Sequence, residues 1–256
     1  MITPEALVQA FDIQRDDSIL FASNMERLLW KTFHAGNTFD FNDMIDRLQM
    51  KIGAGGNLLF PTYNWDFCRG VRWEYHKTKS KTGILSGIAL QRADFCRTKH
   101  ALYSFAVWGK ERERLYRMKD GNSFVGDTPF NFLYVQPRAK MIMFDVDMTH
   151  SCTFVHFVEE TMGVPYRYLK YFTGQYVDDR GLESTRTFSM YVRDLDRKVI
   201  PNFTGLENIL LEKKKMKKSV FEDCVIWEVS FQALFEEIAD IIRRKEFASL
   251  VELEKR

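Results

Sequence analysis

The sequence predicts an α/β fold on three observations: a strand–helix–helix–strand pattern within its first sixty residues, further strand-like and helical periods alternating beyond it, and ordinary globular composition. Of 256 residues, 45% are hydrophobic and 28% charged, which excludes a disordered, collagenous or fibrous chain. Lys and Arg number 37 against 35 Asp and Glu, a net charge of +2, which excludes a generally basic nucleic-acid coat.

In order along the chain, Thr3 before Pro4 and Glu5 marks a helix start, with proline at the first helical position, where a missing N–H does no harm. Ser18 to Ala22 is a buried strand. Met25 to Phe33 is a helix with Leu28, Leu29 and Phe33 as its apolar positions. Asp40 opens a second helix through Met44, Ile45, Leu48 and Ile52, stopped by Gly53. Asn57 to Phe60 is a second apolar strand ending at Pro61, so the region reads as a βαβ-like unit. Ligands of such units bind beyond the carboxyl ends of the strands, here near Ala22-Ser23 and Pro61-Thr62. Tyr63 to Lys81 is too long and aromatic for an ordinary connector. Lys140 to Val146 and Arg186 to Asp194 read as strands, Thr153 to Met162 and Phe231 to Ile242 as helices, the last an apolar stripe facing the core. Without repeats or a linker, residues 1–256 read as a single domain. The lysine-rich run Glu212 to Lys218 reads as a solvated loop or helix face.

The cysteines Cys68, Cys96, Cys152 and Cys224 are far apart, which points away from zinc or thioredoxin motifs and toward a reduced, cytoplasmic setting. No basic leader and no apolar run of about 20 residues is present, so a soluble, uncleaved protein without a membrane partner is expected.

The segment Phe144 to Glu160 sets a strand end beside a helix start and concentrates the titratable groups. His156 and Glu159, three residues apart, share a helical face, where the carboxylate can orient the imidazole or hold its positive charge. Backbone N–H groups at the helix start are candidate oxyanion donors, and Thr153 reads as either a further donor or a helix cap. Cys152 reads as either a thiol relay or a core residue. Asp145, Asp147, His150 and His156 offer a metal-hydrolase reading, although the two-histidine i, i+4 spacing of a zinc helix is missing; no metal is the preferred expectation.

Six pieces in one order then resemble the aminoglycoside 3-N-acetyltransferase family, acyl-CoA-dependent enzymes distinct from the GNAT fold. They are Ser23-Asn24; Gly56 to Thr62; Thr82-Gly83-Ile84-Leu85; Arg97 to Ser104 with Gly109; Gly126-Asp127-Thr128-Pro129-Phe130; and Thr153 to Glu159, similar to the family's Thr-x-x-His-x-x-Glu. Ala101, Cys152 and Ser86 depart from the family pattern, where Pro, Asn and an acidic residue are usual. The resemblance implies a central mixed β-sheet flanked by helices, His156 as base with Glu159 its partner, and Ser23, Asn24, Arg97, His100, Ser104, Thr128 and Pro129 along the CoA site. Read without it, Ser104 and Thr128 are caps, Pro129 a helix start and His100 a satisfied loop histidine. Arg97 has the best independent case, since a guanidinium fork suits the CoA phosphates.

The implied reaction is acyl transfer from acetyl-CoA or a longer acyl-CoA to the primary amine of a sugar. Within Tyr63 to Lys81 five cations oppose two carboxylates, which suits phosphates better than a polycation. Tyr63, Trp65 and Trp73 there are candidate stacking platforms for a base or sugar, or else core. A nucleotide-linked amino sugar for surface polysaccharide is therefore preferred as acceptor over an aminoglycoside antibiotic. A non-catalytic CoA-binding module is a further alternative, and a homo-oligomer is left open.

Overall fold

The computed structural model describes residues 2–253. In chain order its elements are α1 (Pro4–Ala10), β1 (Ser18–Ser23), α2 (Glu26–His34), α3 (Phe41–Ile52), β2 (Asn57–Pro61), β3 (Trp73–Glu74), α4 (Ile84–Ala89), β4 (Cys96–Arg97), β5 (Phe105–Gly109), α5 (Arg112–Arg117) and α6 (Pro129–Val135). There follow β6 (Ala139–Phe144), α7 (Met148–Ser151), α8 (Phe154–Met162), β7 (Arg167–Val177), β8 (Glu183–Arg193), β9 (Val199–Pro201), α9 (Thr204–Glu212), β10 (Met216–Phe221), β11 (Cys224–Ser230), α10 (Phe231–Arg244) and β12 (Val251–Leu253).

Seven strands form a mixed sheet in the order β10-β11-β6-β1-β2-β5-β4. Its centre is parallel, with β1 between β2 and β6, while β11 and β5 run antiparallel on either side. Successive residues of the central strands enter opposite cores. Leu20, Leu59, Met141 and Trp227 face one apolar layer, and Ile19, Leu58, Ile142 and Ile226 the other. Burial on both faces is why these strands read as unbroken apolar runs. Helices α1 and α3 cover the second face, α6, α8 and α10 the first.

Local chemistry fixes the ends. The Thr3 hydroxyl accepts from Ala6 N at 3.1 Å and Pro4 opens α1. Asp40 caps α3, which ends at Gly53 with a φ of +76°, a conformation a side chain resists. In α2, Leu28 is buried, but Phe33 is 77% exposed and does not belong to the core stripe. A second sheet, β3-β7-β8, rises beside the main one, with β7 and β8 paired antiparallel over eleven residues each. The strand expected from Arg186 begins three residues earlier. The lysine run is not one solvated loop: from Met216 it becomes edge strand β10, where lysines discourage further strand pairing.

Candidate active site

The carboxyl ends of β1, β2 and β6 gather three of the expected motifs. Ser23 closes β1 opposite Phe144, and Asn24 Oδ1 accepts from Glu26 N at 3.0 Å. Gly83, at a φ of +85°, approaches so closely that a Cβ there would lie 3.2 Å from the Ser23 carbonyl oxygen. The Thr82 hydroxyl donates to the Pro61 carbonyl and accepts from Tyr63 N.

From β6 the chain passes through α7 into α8, which carries His156. Its Nδ1 lies 2.7 Å from Glu159 Oε2. With the Nδ1 proton directed at a carboxylate, the neutral ring keeps its lone pair on Nε2. Glu159 is fully buried and held from three sides: Tyr166 Oη donates to Oε1 at 2.9 Å, His156 meets Oε2, and Arg167 Nε lies 2.6 Å from the same oxygen. Burial alone would raise the Glu159 carboxyl, but the His156 hydrogen bond and the Arg167 charge hold it below the usual carboxylate range. Burial, then the Arg167 charge, depress His156 from its ordinary value against the opposing pull of Glu159. The imidazole is therefore kept in its basic, unprotonated form.

His156 opens into a cleft of about 500 Å³ between α8 and the β7–β8 hairpin, lined among others by Trp65, Tyr103, Arg167, Lys170 and Arg193. Among the described residues lining it, every Lys, Arg, Asp or Glu is a cation. Trp65, 38% exposed, is thus the one candidate platform of the three that reaches this cleft. Tyr63 packs edge-on against Tyr103 and Phe105 in the core, and Trp73 is 1% exposed, stacked on Tyr176 at 4.7 Å. Neither can stack on an acceptor. Within Tyr63 to Lys81 the two carboxylates are both engaged, Asp66 by Arg69 and Lys81 and Glu74 by Lys77, and Glu183 from outside pairs with Arg72, so the segment keeps a positive excess.

The side chains of the Arg97 to Ser104 motif, expected along the CoA site, are engaged within the fold. Arg97 is 4% exposed and gives four of its five N–H groups away internally: Nε to Ser104 Oγ at 3.0 Å, Nη1 to the Tyr75 and Thr78 carbonyls, and Nη2 to the Thr62 carbonyl. Burial lowers it to about 10. Ser104 Oγ in turn donates to the Thr62 carbonyl at 2.9 Å, so no fork remains for a phosphate. His100 Nδ1 accepts from Leu102 N and Tyr103 N, Nε2 faces the Gly121 carbonyl at 3.3 Å, and burial lowers the ring to about 4. Thr128 caps α6 and donates to the Phe124 carbonyl at 2.5 Å, while Pro129 starts that helix. With His100 they line a cavity of about 20 Å³, room for one water.

Thr153 does not cap α8. Its backbone is already helical, and its side chain makes no cap hydrogen bond. Nor is the helix start an oxyanion site, because Val155 N donates to the Cys152 carbonyl and His156 N to the Thr153 carbonyl. Cys152 is buried, its thiol pushed up to about 12, and belongs to the core rather than to a thiol relay. The metal-hydrolase cluster is dispersed: Asp145 pairs with Arg27, Asp147 caps α7 and meets His150 on the surface, and His156 turns to Glu159.

Sequence reasoning missed Tyr166, Arg167, Lys170 and Arg193. They lie on or beside β7 and β8, with no helical spacing to His156, and only the hairpin's fold brings them to it.

These features define an α/β protein with a His–Glu pair at a largely aromatic and apolar cleft that carries three cations. A family profile described as Aminoglycoside 3-N-acetyltransferase matches residues 21–243, and the chain belongs to that family, hence to the N-acetyltransferases. Among solved structures, AAC-IIIb in a binary complex with CoASH superposes with a TM-score of 0.78 at 12% identity, covering 95% of this chain and 97% of that one. AAC(3)-Xa gives 0.76 at 14% identity, covering 95% and 93%, and YokD from Bacillus subtilis 0.74 at 14%, covering 95% and 94%. At such identities the likeness is one of fold. Curated protein sequences give no significant match. Among the described residues no helix is long and apolar enough to cross a membrane.

Proposed function

We propose that residues 1–256 act as one acyl-CoA-dependent N-acyltransferase domain that acylates the primary amine of a nucleotide-linked amino sugar, with His156 as general base. The observation that carries this reading is a depressed histidine whose Nδ1 is bound to a buried carboxylate, in a cleft where Lys170 and Arg193 face no acidic lining residue. A neutral amine attacks the thioester carbon; a C–N bond forms and the C–S bond breaks. His156 Nε2 takes the proton that the nitrogen must shed, and the imidazolium returns it to the departing thiolate, giving amide and CoASH. Glu159 orients the ring and steadies its cationic form. Neither an acyl-enzyme nor a metal is needed in this scheme. Ser23 and Asn24, at the carboxyl edge with Gly83, are the contacts proposed for acyl-CoA, in keeping with ligand placement in α/β sheets.

The cationic cleft favours an acceptor bearing phosphates and disfavours a polycation. Aminoglycosides remain the second reading, because AAC-VIa, a neighbour of the same fold, is solved bound to sisomicin. Thiol release from acetyl-CoA and longer acyl-CoAs, with nucleotide-linked amino sugars and aminoglycosides in parallel, separates them. Saturable turnover of a nucleotide-linked amino sugar is expected. Saturable turnover of an aminoglycoside, with none of any nucleotide-linked sugar, would overturn the acceptor assignment.

A further inference from the structure

Arg167 has no place in the scheme above, yet it is the most buried cation at the site, its side chain 4% exposed. Its Nε sits 2.6 Å from the Glu159 oxygen that also receives His156 Nδ1, and Nη1 donates to the Tyr191 carbonyl at 3.3 Å. Such a residue is costly to bury, and a packing role alone would be filled as well by an apolar side chain.

Charge counting gives it a purpose. With Arg167 present, the buried trio of guanidinium, carboxylate and neutral imidazole sums to zero, so a proton added to His156 leaves an uncompensated positive charge. Without it, Glu159 and a neutral His156 sum to minus one, and the same proton would be welcomed. We propose that Arg167 is a positioning residue that holds Glu159 ionised and His156 unprotonated through their shared Oε2, so that the base is ready at neutral pH. Tyr166, occupying Oε1, fixes the carboxylate so that Oε2 serves both partners. When His156 accepts the amine proton, the trio becomes positive just as negative charge develops on the acyl oxygen, and the two changes are complementary.

The other titratable groups lining the cleft are Tyr103, Tyr168, Lys170, Tyr191 and Arg193. Of the charges around the ring, Arg167 depresses His156 most strongly after burial itself.

This inference rests on His156 being the base, and its test separates the two. In Arg167→Met, the NMR titration midpoint of His156 and the acidic limb of kcat/KM should both move up by about one to three pH units, the shift a nearby charge produces. Arg167→Lys, which keeps the charge and guards against misfolding, should hold both near wild type. A His156 midpoint that stays put or falls in folded Arg167→Met would overturn the role of Arg167. Retained turnover in His156→Ala would instead overturn the base assignment, while leaving the NMR prediction standing.

Discussion

Two histidines, His100 and His156, sit in motifs of similar apparent promise and have opposite chemistry. His100 accepts two backbone N–H groups on Nδ1 and turns Nε2 to a backbone carbonyl, so both nitrogens serve the loop. His156 gives Nδ1 to a carboxylate that is itself held by Tyr166 and Arg167, and keeps Nε2 for the cleft. Arg97 belongs with His100, since its fork is consumed by carbonyls of the 62–78 segment and by Ser104. A motif side chain is thus diagnosed by whether its hydrogen-bonding capacity is already used within the fold.

That contrast can be broken most forcefully at Arg97. Arg97→Met strands the Tyr75 and Thr78 carbonyls and should destabilise by about 3 kcal/mol or more, read as a lower denaturant midpoint. CoA affinity of the folded fraction should be unchanged; a stable variant with weakened CoA binding would return Arg97 to the cofactor site. Next is the acid limb of stability. His100 titrates at about 4 when folded against an ordinary 6.5, so the unfolded chain takes the proton first. Stability should fall as pH drops from 6.5 toward 4, by about 3 kcal/mol from this group, and then level off. His156 adds to the same slope, so the measurement is the difference between wild type and His100→Gln across this window; identical slopes would show that His100 is not held neutral. The smallest effect is at Thr128, where Thr128→Ala removes a helix cap and should cost about 1 kcal/mol without altering turnover.

How much the sequence discloses follows the same division. Ser18 to Ala22 and Asn57 to Phe60 are legible because strands buried on both faces leave unbroken apolar runs, and Asp40 to Gly53 because cap, stripe and stop agree. The His156–Glu159 pair is legible because a helix imposes its spacing. Strand β7 is not, because its exposed Tyr168, Leu169 and Tyr171 follow no two-sided burial pattern, and β10 hides within a run of lysines. Arg167 carries no local signal, since it reaches Glu159 only through the turn at Gly163 and the start of a new strand. The partners of Arg97 are hidden, for Thr62 and Thr78 are distant in sequence or belong to irregular segments, whereas His100 is legible as a satisfied loop histidine. Thr153 misled because α7 runs almost directly into α8, leaving no extended residue to act as cap.

The central claim, that His156 carries the proton while the Arg97–His100 region only builds the fold, is tested most directly by thiol release from acyl-CoA with His156→Ala beside wild type. CoA binding of both is measured by calorimetry. The account predicts a loss of about 10²- to 10⁴-fold in kcat with CoA affinity preserved. Turnover close to wild type in the folded variant would contradict it.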